Sequence, residues 1–179
     1  MAQFKAFAPK VEVDGEVVST LVDGMGAFKP MGLQLLAAHG IQAPKAGEWY
    51  PQQAYLDAFK GIAEKLGAAT LKGVGKQIPE RAAWPPQVDT VEKALASIDV
   101  AYHMNHRGGE IGHYRFEKTG ERSGKMICQN PYPCAFDHGI VEAAAKKFAP
   151  AGAIVRVMHD DTQPCRQKSG ESCTYLVTW

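Results

Sequence analysis

Three cysteines carry the most concentrated chemistry in this chain. Cys134 lies in Tyr132-Pro-Cys-Ala-Phe-Asp137 at the entrance to an expected helix. Cys165 and Cys173 bracket Arg-Gln-Lys-Ser-Gly-Glu-Ser ahead of an alternating run that ends at Trp179. A Cys-x7-Cys loop containing a glycine reads as a turn feeding a strand, and a helix packed across the same sheet would bring Cys134 to that place. Thiols so arranged bind zinc as thiolates, oxidise to a disulfide, or fill core space. Cys128 falls in the middle of an expected strand, lacks that spacing, and reads as a core thiol.

A second set of residues could handle a ligand. The run Tyr102-His-Met-Asn-His-Arg-Gly-Gly-Glu-Ile-Gly-His-Tyr114 gathers His103, His106 and His113 between two tyrosines. A neutral imidazole can ligate iron or hydrogen-bond a ligand. Tyr102 and Tyr114, with Trp49, Phe59 and Trp84, are large enough to line an apolar cavity. Two of the histidines with Glu110 would offer a second metal site. Catalytic signals are weaker. Cys134, Asp137 and His138 are near in sequence but lack a specified orienting group or oxyanion site. Gly24-x-Gly26 and Gly73-x-Gly75 lack the strand and helix context of a nucleotide loop. The expectation is a binding domain and not an enzyme.

The elements that must position these residues follow from hydrophobic periodicity. Valines on either side of Asp14-Gly15 predict an N-terminal β-hairpin extension within residues 1–30. Residues 31–107 read as a helical part: a short helix from Met31 ending at Gly40, a clear amphipathic helix from Gln52 to Leu66, a glycine-weakened one over Leu71 to Ile78, and one capped by Asp89. Residues 108–179 change period to alternation and give β-β-α-β-β order. Its hairpin runs from Ile111 to Asn130, its helix from Asp137 to Phe148, and its last two strands over 153–159 and 173–179. The predicted class is α+β, a helical cluster covering one face of an antiparallel sheet in a single domain of 179 residues.

Composition bounds the partners. The chain is 45% hydrophobic and 22% charged with a formal net charge of +1, enough apolar content for a core without staples and no electrostatic footprint for nucleic acid. The basic residues Arg166, Lys168, Lys146 and Lys147 read as a solvated rim. No signal-peptide pattern or membrane span is apparent, so a cytoplasmic protein is expected, where cysteines stay reduced or bind metal.

The segment from Arg107 to Trp179 resembles the ligand-binding domain shared by 4-vinyl-reductase-type proteins, sensory domains of aromatic-responsive bacterial activators and vesicle-tethering TRAPP subunits. Haem nitric-oxide/oxygen-binding domains are more distant members of that structural group. The resemblance rests on the hairpin Ile111 to Asn130, the helix opening Cys134-Ala-Phe-Asp-His-Gly139, and Cys165-x3-Ser-Gly170-x2-Cys173-Thr-Tyr-x-Val-x-Trp179. It implies a tetrahedral zinc held by Cys134, Cys165, Cys173 and an acidic residue three positions before Cys165. That position is Thr162 here, so His159, Asp160 and Asp161 are the nearby candidates, of which His159 and Asp161 complete the expected set. A histidine near His103 to His113 contacts phenol in some aromatic-sensing relatives. The Cys-x-x-Cys-His attachment motif of c-type haem and the Tyr-x-Ser-x-Arg propionate clamp of haem nitric-oxide sensors are both missing. The resemblance therefore implies a sensor that binds a small, apolar or aromatic molecule between helices and sheet, with a structural zinc, and works through homodimerisation or a separate signalling partner protein. The alternatives are a haem-binding gas sensor and a structural adaptor subunit.

Overall fold

The structure, a computed structural model, describes residues 3–179. Its elements are β1 (Glu12–Asp14), α1 (Gly15–Gly24), α2 (Lys29–Ala38), β2 (Trp49–Pro51), α3 (Gln52–Arg81), α4 (Val91–Met104), β3 (His106–Arg107), β4 (His113–Gly120), β5 (Ser123–Gln129), α5 (Cys134–Phe148), β6 (Arg156–His159) and β7 (Cys173–Thr178). The expected α+β class, with its β-β-α-β-β second half, is what forms. Two antiparallel sheets result, a small one in the order β2-β1-β3 and a larger one in the order β4-β5-β7-β6.

The N-terminal hairpin does not form. Asp14 turns its carboxylate onto the Glu16 N–H at 2.7 Å and caps α1, so Gly15 opens a helix and not a turn. The valines expected on a second strand then serve a helical period, with Val18, Leu21 and Val22 buried together. Strand β1 pairs instead with β2 and β3. The cap of α4 also differs, because Thr90 and not Asp89 accepts the Lys93 N–H.

Helix α3 joins two expected helices. Gly67, at φ +77°, breaks it where the first amphipathic stretch ends. Its first half buries Tyr55, Leu56, Phe59 and Ile62, and its second half buries Leu71, Val74 and Gly75. That second half meets α5 backbone to backbone. A Cβ on Gly75 would stand 2.1 Å from the Phe136 carbonyl oxygen, and one on Gly139 would stand 2.2 Å from that of Lys72. Any side chain there would force the helices apart.

Alternation on β5 turns Gly124, Met126 and Cys128 inward, and β7 contributes Cys173, Tyr175 and Val177. Cys128 and Cys173 sit opposite each other in the ladder. Against this face lies α5, whose Ile140, Val141, Ala144 and Ala145 join one contiguous core. Each large apolar side chain buried there contributes about 1.5–3 kcal/mol. No helix among the described residues is long and apolar enough to cross a membrane.

Candidate metal centre and histidine core

The first turn of α5 delivers Cys134, the turn after β6 follows His159, and the loop leading into β7 carries Cys165 and Cys173. That loop is shaped by its backbone. Lys168 and Gly170 N–H groups both donate to the Cys165 carbonyl at 2.9 Å, and Ser169 takes a left-handed conformation at φ +66°. Glycine at 170 is required by space, since a Cβ would meet the Cys165 nitrogen at 2.7 Å.

The three sulfurs converge. Cys134 Sγ lies 3.7 Å from Cys165 Sγ and 3.0 Å from Cys173 Sγ, and Cys173 lies 3.8 Å from Cys165. A tetrahedral ion with metal–sulfur bonds of about 2.3 Å separates its sulfurs by about 3.8 Å. Two edges match, and the third is shortened by direct contact between the Cys134 and Cys173 thiols. All four cysteines are free thiols. One donor atom from each of Cys134, His159, Cys165 and Cys173 falls within 4.8 Å of the others.

Residues behind the donors support them. His159 Nδ1 faces Asp161 Oδ1 at 3.0 Å, which leaves Nε2 as its ligating nitrogen, and Nε2 is buried with no hydrogen-bond partner. Asp161, expected as a ligand, therefore stands behind the histidine and fixes its tautomer. The Gln3 amide donates to Cys134 Sγ at 2.7 Å, and the Arg166 backbone N–H donates to Cys173 Sγ at 3.4 Å. Contact with the Cys134 thiol pulls the Cys173 pKa down, aided by the Arg166 charge; the same contact and burial push Cys134 up. Thr162, the position where a carboxylate was implied, donates its hydroxyl to Asp160 at 2.6 Å and takes no part. A shallow recess of about 210 Å³ lined by Cys134, His138, His159 and Tyr175 opens beside the cluster. The donor set suits a soft or borderline divalent ion, zinc above all, and four protein ligands leave no open position.

The expected ligand residues separate into three places. His106, Tyr102, Tyr114 and Phe59 lie in the core with Tyr55, Tyr132 and Phe136, where the rings pack edge to face on one another. His106 Nδ1 meets the Tyr102 carbonyl at 2.8 Å, and its Nε2 meets the Tyr132 hydroxyl at 2.7 Å. Burial depresses its pKa to about 4, so the imidazole is neutral at pH 7. His103 and His113 leave this group for the surface, where their rings pair 5.0 Å apart. Trp49 lies in the outer sheet under the Arg107 guanidinium, and Trp84 packs on Phe148 while donating to the Pro79 carbonyl at 2.8 Å. Neither tryptophan packs in the histidine core: Trp49 opens β2 in the smaller sheet, and Trp84 lies just beyond the end of α3.

Arg166 is the residue that sequence reasoning most misplaced. Expected on a solvated rim, it is 2% exposed and pairs with the fully buried Asp137. Its guanidinium also donates to the Asn130 and Tyr132 carbonyls, and the Tyr114 hydroxyl donates to Asp137 at 2.6 Å. Burial opposes the Arg166 charge but is outweighed by Asp137 and the nearby thiols; burial likewise raises Asp137 while Arg166 pulls it down. The network ties the cysteine loop to the histidine core through Tyr132. Adjacency of Arg166 to Cys165 was the one sequence signal that could have exposed it.

No protein-family model matches the chain, and no curated protein matches it. Solved structures do. An H-NOX protein from S. oneidensis, in the Fe(II) ligation state, aligns with TM-score 0.69 at 16% identity over 92% of this chain and 95% of that one. A T. Tengcongensis H-NOX mutant aligns with TM-score 0.67 at 14% identity, over 92% and 96%. An unliganded Fe(II) H-NOX mutant from K. algicida aligns with TM-score 0.64 at 13% identity, over 92% and 95%. The chain has the fold of the H-NOX domains.

Proposed function

We propose that this chain is a sensory domain built on the H-NOX fold, with a structural zinc ion held by Cys134, His159, Cys165 and Cys173. The observation that carries the zinc reading is the buried, unpartnered His159 Nε2 beside three converging thiols. Such an ion would join the start of α5 to the ends of β6 and β7, and its four protein ligands suit a structural role. A stimulus that favours one helix–sheet arrangement would be passed on by population shift to a partner surface.

The comparisons favour haem over a free apolar molecule as the sensed or sensing group, because the similar solved structures are H-NOX proteins and one is described in its Fe(II)NO ligation state. Buried, neutral His106 supports that second reading as an iron ligand. The surroundings of His106 do not fit the macrocycle as folded. Both its ring nitrogens are engaged, the neighbouring aromatic rings fill the space on one another, and α3 and α5 touch at Gly75 and Gly139. The same packing argues against a free apolar molecule among those rings.

Metal analysis and an absorption spectrum of one sample of tag-free protein, purified under reducing conditions, test both readings. About one zinc per chain, lost in Cys173→Ser, is expected without a Soret band. Zinc-free protein that keeps its fold would overturn the zinc reading. A Soret band that disappears in His106→Ala would establish the haem reading in its place.

A further inference from the structure

A second cluster of metal donors lies on the rim where α4 meets β4. Asp99 and His103 are four residues apart on α4 and share a face, and His113, the first residue of β4, comes up beside them. One donor atom from each lies within 4.8 Å of the others. The Nδ1 atom of His113 stands 3.5 Å from Asp99 Oδ1, and the His103 ring lies alongside the His113 ring at 5.0 Å.

Two local bonds prepare this set. The Tyr114 N–H donates to Asp99 Oδ1 at 2.7 Å and holds the carboxylate against the strand. His103 Nδ1 lies 2.8 Å from the Asp99 carbonyl, which can only accept, so Nδ1 bears the proton and Nε2 keeps its lone pair. Glu110, the acid expected here, instead accepts the Gly112 N–H at 2.7 Å and lies outside the cluster. Asp99 and His113 also line an open cavity of about 350 Å³ whose wall mixes polar side chains, Arg115, Gln129 and Glu171, with Tyr114 and Ile127.

We propose that Asp99, His103 and His113 bind a divalent first-row transition-metal ion whose remaining coordination positions open onto that cavity. Imidazole and carboxylate donors suit zinc, nickel and copper, and three protein ligands leave room for water or a small anion. The site differs in kind from the thiol centre: it has no sulfur, and its side chains are 32%, 42% and 58% exposed for Asp99, His103 and His113, which makes its metal exchangeable.

The test is titration of zinc-loaded, tag-free full chain with Ni2+, followed by calorimetry and by imidazole NMR. One further Ni2+ per chain is expected, with paramagnetic broadening centred on His103 and His113. His103→Ala and His113→Ala should each weaken binding by at least about tenfold with the fold unchanged by circular dichroism. Asp99→Asn, which keeps an acceptor for the Tyr114 N–H, should weaken it less, and His39→Ala should leave it unchanged. Absence of saturable Ni2+ binding, broadening centred on other histidines, or unchanged affinity in His113→Ala would overturn the proposal.

Discussion

The cysteine cluster and the histidine core both assemble polar atoms from distant segments, but they treat lone pairs in opposite ways. Around His106, each ring nitrogen has a partner, and the tyrosines that supply them are locked by their neighbours. Around His159, one nitrogen is held by Asp161 while the other is buried with none, beside thiols that satisfy one another only by crowding. A buried polar atom without a partner costs about 1–3 kcal/mol. The first region is finished by protein atoms alone, and the second, on the proposed reading, would be finished by an ion. Chemistry is best sought where satisfaction is incomplete, even when the more crowded set of histidines draws the eye first.

That contrast can be broken most forcefully at the metal. Cys173→Ser, or a strong chelator, should cost more than about 4 kcal/mol in urea unfolding, because binding energy at a structural zinc is folding energy. Equal stability with and without chelator would erase the distinction. Next is the link between the regions. Arg166→Met strands a buried carboxylate and should cost about 3–5 kcal/mol, whereas pairing it with Asp137→Leu should recover much of the loss. An unrecovered double variant would show that packing, not charge, joins the two regions.

Within the histidine core, Tyr132→Phe removes one partner of His106 and should cost about 1–3 kcal/mol without changing zinc content. The pKa of His106 is depressed in the fold to about 4 from its ordinary 6.5. Its contribution is therefore complete above pH 6.5 and fades as pH falls towards 4, since the unfolded chain takes up the proton first. Unfolding curves at pH 7 and pH 5 should differ for the parent and differ less for His106→Gln.

The smallest effect belongs to the lysine cluster around Glu142, where α3 meets α5. Burial would raise Glu142, but Lys146, Lys72 and Lys76 outweigh it and hold its pKa at about 2, below the ordinary 4.5. Its stabilisation is present above pH 4.5 and is lost as pH falls towards 2. With partly exposed lysines, Glu142→Gln should cost about 1–2 kcal/mol at pH 7 and converge on the parent at low pH. A constant difference across that range would point to lost packing of the side chain.

Period and spacing made the second half of the fold legible, because Met126 and Cys128 on β5 and Ile140, Val141 and Ala144 on α5 each keep one face inward. The same logic failed at Asp14-Gly15, where a turn pair and a helix cap have one spelling and only tertiary context chooses between them. At the site, the loop pattern and the family resemblance together made the convergence of the three cysteines legible, with His159 among three candidates beside them. Asp161 could not be separated from a ligand, since orienting and ligating carboxylates look alike in sequence. Asp99 and Arg166 were hidden for a different reason: their partners, the Tyr114 N–H on β4 and Asp137 on α5, come from elements whose approach periodicity does not encode.

Arg166 follows Cys165 with no residue between them, so the loop that carries a proposed zinc ligand also holds a charge in the core. If that loop opened, the guanidinium would be drawn towards water and the interior would lose its counter-ion to Asp137 in the same motion. Metal depletion would then reach beyond a local loosening: the C-terminal strand would become a protease substrate, and the lifetime of the protein in a cell would follow the supply of the ion.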